Sequence, residues 1–105
     1  TYIDDIISGT KMAMNKNYKC ETFNLGNNKT VNLMDLVRII ERELGKKAEI
    51  SFLPLQSGDI IESYADINKS KQMLDFSPST QIEDGIKSFV NWYKKYSLNK
   101  NGVNI

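Results

Sequence analysis

Residues 32–45 read Asn32-Leu33-Met34-Asp35-Leu36-Val37-Arg38-Ile39-Ile40-Glu41-Arg42-Glu43-Leu44-Gly45, and no other stretch states its conformation so fully. Leu33, Leu36, Val37, Ile40 and Leu44 recur at helical spacing and predict a core-facing stripe. Arg38, Glu41, Arg42 and Glu43 fall mostly on the other face. Asn32 is a good N-cap, because its side-chain oxygen can accept an otherwise unpaired N–H of the first turn. Gly45 adopts at little cost the left-handed backbone that ends a helix.

A second helix is predicted before this one, from Asp4 to Asn15. Ile3, Ile6, Ile7, Thr10 and Met14 share one face, and Asp4 and Asp5 sit where the helix dipole favours negative charge. Two more helices are predicted after it. Ile67 to Leu74 is short, with Asp66 as its cap. Gln81 to Lys95 opens on Thr80 and Glu83, which match the Ser/Thr-x-x-Glu capping box, and buries Ile82, Ile86, Phe89, Val90 and Tyr93. Lys94 and Lys95 lie in its last turn, and the Asn-rich residues after Tyr96 read as a fraying tail.

Short strands fit between the helices. Cys20 to Leu25 runs into the turn residues Gly26-Asn27-Asn28. Ala48, Ile50 and Phe52 alternate with Glu49, Ser51 and Leu53 up to Pro54, and Glu62 to Ala65 gives a third short candidate. The expected class is therefore α+β, about four helices packed with a small sheet of two or three short strands. Residues 1–96 would form one domain and 97–105 a polar tail.

Composition narrows the function. The chain has 105 residues, one domain or a piece of one, and it begins at Thr1. That start is read as a cut within a longer protein. Lys and Arg number 14 against 13 Asp and Glu, a net charge of +1, which disfavours nucleic acid and an electrostatic membrane anchor. No apolar run approaches the roughly 18 residues of a membrane span. With no His and one Cys, no zinc ligand set exists, and the lone Cys20 points to a reducing, cytoplasmic compartment. Cys20 itself is expected to be a small buried residue within its strand.

Chemistry must then sit in the loops. Pro54-Leu55-Gln56-Ser57-Gly58-Asp59 offers an amide, a hydroxyl and a carboxylate. Asp59 could accept from a pair of sugar or ribose hydroxyls with Gln56 as a neutral donor, or the loop could be a plain turn with Asp59 capping a neighbour. Asp66 reads as a helix cap, and Tyr64 as half-buried. Trp92 and Tyr93 read as core or domain-contact residues. Tyr96 and Lys100 match a Tyr-x-x-x-Lys spacing, but in a tail with no Gly-rich loop before it, so the match is read as coincidence. The six glycines never cluster into a dinucleotide-binding loop.

Six strings in a fixed order carry a resemblance: Thr1-Tyr2-Ile3-Asp4-Asp5-Ile6, Phe23-Asn24-Leu25-Gly26-Asn27, Leu33-Met34-Asp35-Leu36, Phe52-Leu53-Pro54-Leu55-Gln56-Ser57-Gly58-Asp59, Tyr64-Ala65-Asp66-Ile67, and Ile82-Glu83-Asp84-Gly85-Ile86 continuing through Trp92-Tyr93. Over residues 1–96 the chain resembles the C-terminal, substrate-binding part of the NAD-dependent epimerase/dehydratase family, the extended short-chain dehydrogenases, and most of all its UDP-glucuronate 4-epimerase branch. The resemblance implies a nucleotide-sugar substrate, NAD in the parent enzyme and none bound by this fragment, a missing N-terminal Rossmann domain, and a homodimeric parent. It implies substrate contacts from Gln56, Asp59 and Ser63. Asp59 would face the ribose hydroxyls. Gln56 would replace the phosphate-binding Arg of galactose epimerases, and the small Ser63 would leave a roomy sugar pocket. Ser57 departs from the Pro of the glucuronate-type loop. The parent chemistry implied is hydride removal from C4 to NAD, rotation of the 4-keto sugar and hydride return, with no catalytic residue in this fragment. A 4,6-dehydratase or decarboxylase of the same family remains the near alternative, and a free-standing protein-interaction module the distant one. The resemblance also implies that Tyr2, Ile3 and Phe23, cut free of the Rossmann domain, face solvent.

Overall fold

The computed structural model describes residues 1–101, with side chains described through Tyr96. Its regular elements are four helices: α1 (Ile3–Lys16), α2 (Leu33–Leu44), α3 (Asn68–Leu74) and α4 (Ile82–Asn101). Helix α2 is bounded as its sequence states. The Met34 N–H donates to Asn32 Oδ1 at 2.9 Å, and Gly45 ends the helix at φ 70° with its N–H on the Glu41 carbonyl.

The expected sheet does not form. Among the described residues there is no strand, so the α+β expectation is corrected to a helical fold with irregular connections. A strand needs a neighbour that repeats its hydrogen bonds along a ladder. The segments 20–29 and 62–66 meet through one backbone bond, Ala65 N–H to the Asn27 carbonyl at 3.0 Å. Residues 48–53 run exposed, with no backbone partner among the described residues. Alternation of apolar residues was present, but pairing is decided elsewhere in the chain.

Two compact units result. The first comprises Thr1–Thr30 and Leu53–Thr80, where α1 packs against α3. Ile67, Leu74 and Phe76 are its buried centre, with Met12, Ala13, Phe23, Leu25 and Ala65 packed around them. The second comprises Val31–Phe52 and the chain from Gln81 onward, where α2 packs against α4 and buries Ile39 and Val90.

The expected stripes are met in part in α2, where Leu36, Val37, Ile40 and Leu44 are half-buried, and in α4, but not in α1. In α1 the expected stripe is largely outside: Ile3 is 57 %, Ile7 50 % and Met14 75 % exposed. The inward side carries Asp5, Ile6, Gly9, Met12 and Ala13. Gly9 is the reason this side can approach, since a Cβ there would lie 2.7 Å from Leu25 Cδ2 and 2.9 Å from Phe76 Cδ2. In α2, Ile39 is the buried residue, Leu36, Ile40 and Glu43 are half-buried, and Leu33 is exposed. In α4, Gly85 and Val90 are buried and Ile82 and Ile86 half-buried, whereas Phe89 and Tyr93 are exposed. Helix α4 also runs past the expected Lys95 end to Asn101. The rest of the expected polar tail lies outside the described residues, as do the side chains of 97–101, Lys100 included.

Of the three side chains expected to be uncovered, Ile3 is exposed, and Tyr2 and Phe23 are half-buried. Cys20 is exposed rather than buried, because the strand that would have covered it is absent.

Candidate functional site

The first unit gathers several of the polar loop residues. Its organising turn is Gly26-Asn27. Gly26 is buried and lies so close to Ala65 that an added Cβ would sit 2.8 Å from the Ala65 Cβ. Asn27 is held on three sides. Its N–H donates to Thr1 Oγ1 at 2.8 Å, its carbonyl accepts from Ala65, and its Oδ1 accepts the Lys29 N–H at 2.9 Å. Three bonds on one residue fix the turn without a ladder. Next to it, Asn24 Nδ2 donates to the Asp66 carbonyl, and the fully buried Ser70 hydroxyl donates to the Asn24 carbonyl.

This turn shapes two adjoining open depressions. One is lined by Thr1, Gly26, Asn27, Lys29, Ser63, Tyr64 and Ala65. The other is lined by Asn28, Lys29, Thr30, Glu62 and Tyr64. Ser63 therefore lies beside the Asn27 turn with a lysine and a phenol for neighbours. Tyr64 is exposed rather than half-buried, and its ring forms part of both walls.

Gln56 and Asp59 are brought together, but on a turn of their own. The Asp59 N–H donates to the Gln56 carbonyl, and the Gln56 N–H donates to Asp59 Oδ2, both at 3.1 Å. Gly58 takes φ 97°, a left-handed conformation that glycine adopts without a Cβ penalty. The carboxylate thus bonds within its own turn, and the turn stands exposed. Asp66 accepts the Asn68 N–H at 3.0 Å, so it braces the entry to α3 while Ile67 occupies the backbone cap position.

Two carboxylates that residue patterns did not single out organise their surroundings. Asp5 is buried and accepts from Ser79 N–H, Ser79 Oγ and Thr80 N–H. Burial alone would raise its pKa, but the Ser79 and Thr80 donors outweigh that and hold it below the ordinary value. Asp5 thereby takes up the Thr80 N–H, the group the Glu83 side chain would meet in the expected capping box. Glu41 accepts the Ala48 N–H at 2.8 Å and Lys47 Nζ at 3.2 Å, which lowers its pKa, the Ala48 bond most. No local spacing rule links Asp5 to residues 79–80. The only hint was an acidic residue facing what became the buried side of α1.

No family model matches the chain. It is 46 % identical over 93 residues to an uncharacterised protein of Methanocaldococcus jannaschii, covering 89 % of this chain and 28 % of that protein. It is 41 % identical over 96 residues to the UDP-glucuronate 4-epimerase of Thermodesulfobacterium geofontis, covering 90 % of this chain and 29 % of that protein. Among solved structures it is similar to the UDP-glucuronic acid 4-epimerase of Bacillus cereus in complex with UDP-glucuronic acid and NAD. The TM-score is 0.76 at 31 % identity, over 90 % of this chain and 31 % of that one. The chain thus spans less than a third of the length of these relatives.

Proposed function

We propose that this chain, a homologue of one segment of the UDP-glucuronate 4-epimerases, supplies the nucleotide-sugar side of an NAD-dependent sugar-nucleotide 4-epimerase. The observation that carries this is the match over 90 % of the chain to an enzyme solved with both UDP-glucuronic acid and NAD. The segment corresponds to the C-terminal, substrate-binding part of such an enzyme, residues 1–96 forming it. UDP-glucuronate or UDP-galacturonate is the substrate. The parent works in the cytoplasm as a homodimer, and no described helix is long and apolar enough to cross a membrane.

The described glycines are used otherwise than in a dinucleotide loop. A dinucleotide loop needs glycines clustered where a helix begins, so that backbone N–H groups can approach the pyrophosphate. Here Gly9 and Gly26 are pressed against Phe76 and Ala65, Gly45 ends a helix, and Gly58 stands in an exposed turn. In this reading NAD and the hydride step belong to a Rossmann domain of the parent enzyme, as the neighbour solved with NAD supports. That domain would also cover Ile3, Ile7 and Met14, whose exposure on one helix side suits a lost interface.

What this chain contributes is hydrogen bonding. The Gln56–Asp59 turn presents a carboxylate already oriented by its own amide, ready to accept from the ribose hydroxyls. Gln56 adds a neutral donor near the phosphates, and Ser63 keeps the sugar pocket open. Titrating the isotopically labelled chain with UDP-glucuronate tests this by NMR. Shifts confined to Gln56, Asp59, Ser63 and their neighbours are expected, with no conversion of the sugar. Epimerisation by the isolated chain, or shifts that bypass all three residues, would overturn the proposal.

A further inference from the structure

A nucleotide-sugar carries a negative charge on each phosphate of its diphosphate, and a cation is the natural partner for it. The Gln56–Asp59 turn brings none, because Gln56 is neutral and Asp59 is itself an anion. The two depressions beside the Asn27 turn bring one. Lys29 is the side-chain cation of both, and it lines the inner one, of about 330 Å³, together with Ser63 and Tyr64. Its backbone is held, because its N–H donates to Asn27 Oδ1 at 2.9 Å and Asn27 is itself fixed by Thr1 and Ala65. Its ammonium makes no ion pair among the described residues, whereas Lys16 and Lys69 of the same unit are taken up by Asp75 and Glu21. Glu62 lines the outer depression and not the inner one, so an anion is favoured on the Ser63 side.

Resting on the nucleotide-sugar reading of this site, we infer that Lys29 supplies the positive charge for the diphosphate, the charge that the neutral Gln56 does not. Turn and depression lie within reach of one ligand. Asp59 and Ser63 are four residues apart, so their backbones stand at most roughly 14 Å from each other, a separation that one extended nucleotide-sugar bridges. With the ribose at Asp59 and the sugar at Ser63, the diphosphate that joins them falls between, and Lys29 stands at the Ser63 end. A lysine suits this place. It is a point charge on a flexible stem, so it follows either phosphate without the fixed fork that an arginine imposes.

NMR titration of the full chain with UDP-glucuronate, UDP-glucose and uridine tests this. Lys29→Gln should weaken both UDP-sugars about tenfold, the loss of one charge-assisted hydrogen bond, and leave the uridine shifts unchanged, since uridine has no phosphate. Lys29→Arg should restore most of the affinity. Added salt should weaken binding to the wild-type chain more than to Lys29→Gln. Lys29 is exposed in a loop, so the helical circular dichroism of both variants should match the wild type. A loss confined to UDP-glucuronate would put the ammonium on the sugar carboxylate and overturn the assignment to the diphosphate. Equal affinity of wild type and Lys29→Gln, with shifts still at Gln56, Asp59 and Ser63, overturns the role of Lys29 and leaves the nucleotide-sugar reading standing. Failure of the wild-type chain to bind either UDP-sugar overturns both.

Discussion

Single residues decide how closely the segments of this chain approach one another. Gly9 lets the inward side of α1 reach Leu25 and the fully buried Phe76. Gly9→Ala should therefore cost about 1–3 kcal/mol, because Phe76 has no solvent side toward which to yield; a lower thermal midpoint checks it. Asp5 acts through charge. Removing its carboxylate in Asp5→Ala leaves the Ser79 and Thr80 amides without their partner in a part-buried site, and about 1 kcal/mol should be lost in urea unfolding at neutral pH. The pH dependence has a definite sign. Its folded pKa lies below the ordinary 3.8, so the folded state favours the ionised form. The stabilisation is complete above the unfolded pKa and fades as pH falls through the lowered folded value. The stability gap between wild type and Asp5→Asn should thus be constant from pH 7 to 5 and shrink below pH 4. A gap that widened toward acid would contradict this assignment. Asp59, by contrast, acts locally, its carboxylate accepting the Gln56 N–H within the turn that precedes it.

At the scale of elements, the existence of the helices and the ends of α2 were legible, whereas the end of α4 and the inward face of α1 were not. The Asn32 cap and Gly45 stop of α2 are local chemistry, fixed within a few residues. Asn32→Ala should lower stability by about 1 kcal/mol, read as a shifted urea midpoint with an unchanged slope. Orientation depends on what lies opposite. A hydrophobic stripe states that a face wants cover, not which partner supplies it. In α1 the apolar face of Ile3, Ile7 and Met14 remains outside, while a side holding Asp5 and Gly9 packs inward. Ile7→Lys should accordingly change the unfolding free energy of the isolated chain by no more than about 0.5 kcal/mol, as at other exposed positions. In α4 the outward residues are aromatic. Phe89 and Trp92 lie 5.7 Å apart, and Trp92 stacks on Tyr96 at 5.4 Å, so these rings cover one another in part rather than entering the core.

At the scale of the whole molecule, the buried apolar centre is small. Among the described residues it comprises Ile39, Ile67, Leu74, Phe76 and Val90, divided between two units. The isolated chain should unfold in urea with no more than about 5 kcal/mol, the low end for natural domains, and a value well above it would mean burial not visible here. The site shows the same division between local and distant information. The Gln56–Asp59 turn lies within four residues and was legible. The depression around Ser63 joins Thr1, Asn27 and Tyr64 from three parts of the chain, and no spacing rule connects them. The sequence by itself determined the four helices, the caps of α2, the Gln56–Asp59 turn and the order of strings shared with the epimerases, because each rests on contacts a few residues apart. Only the tertiary structure decided that no sheet forms, which helix faces are buried and where Asp5 binds, because these depend on partners dozens of residues away whose presence local pattern cannot state.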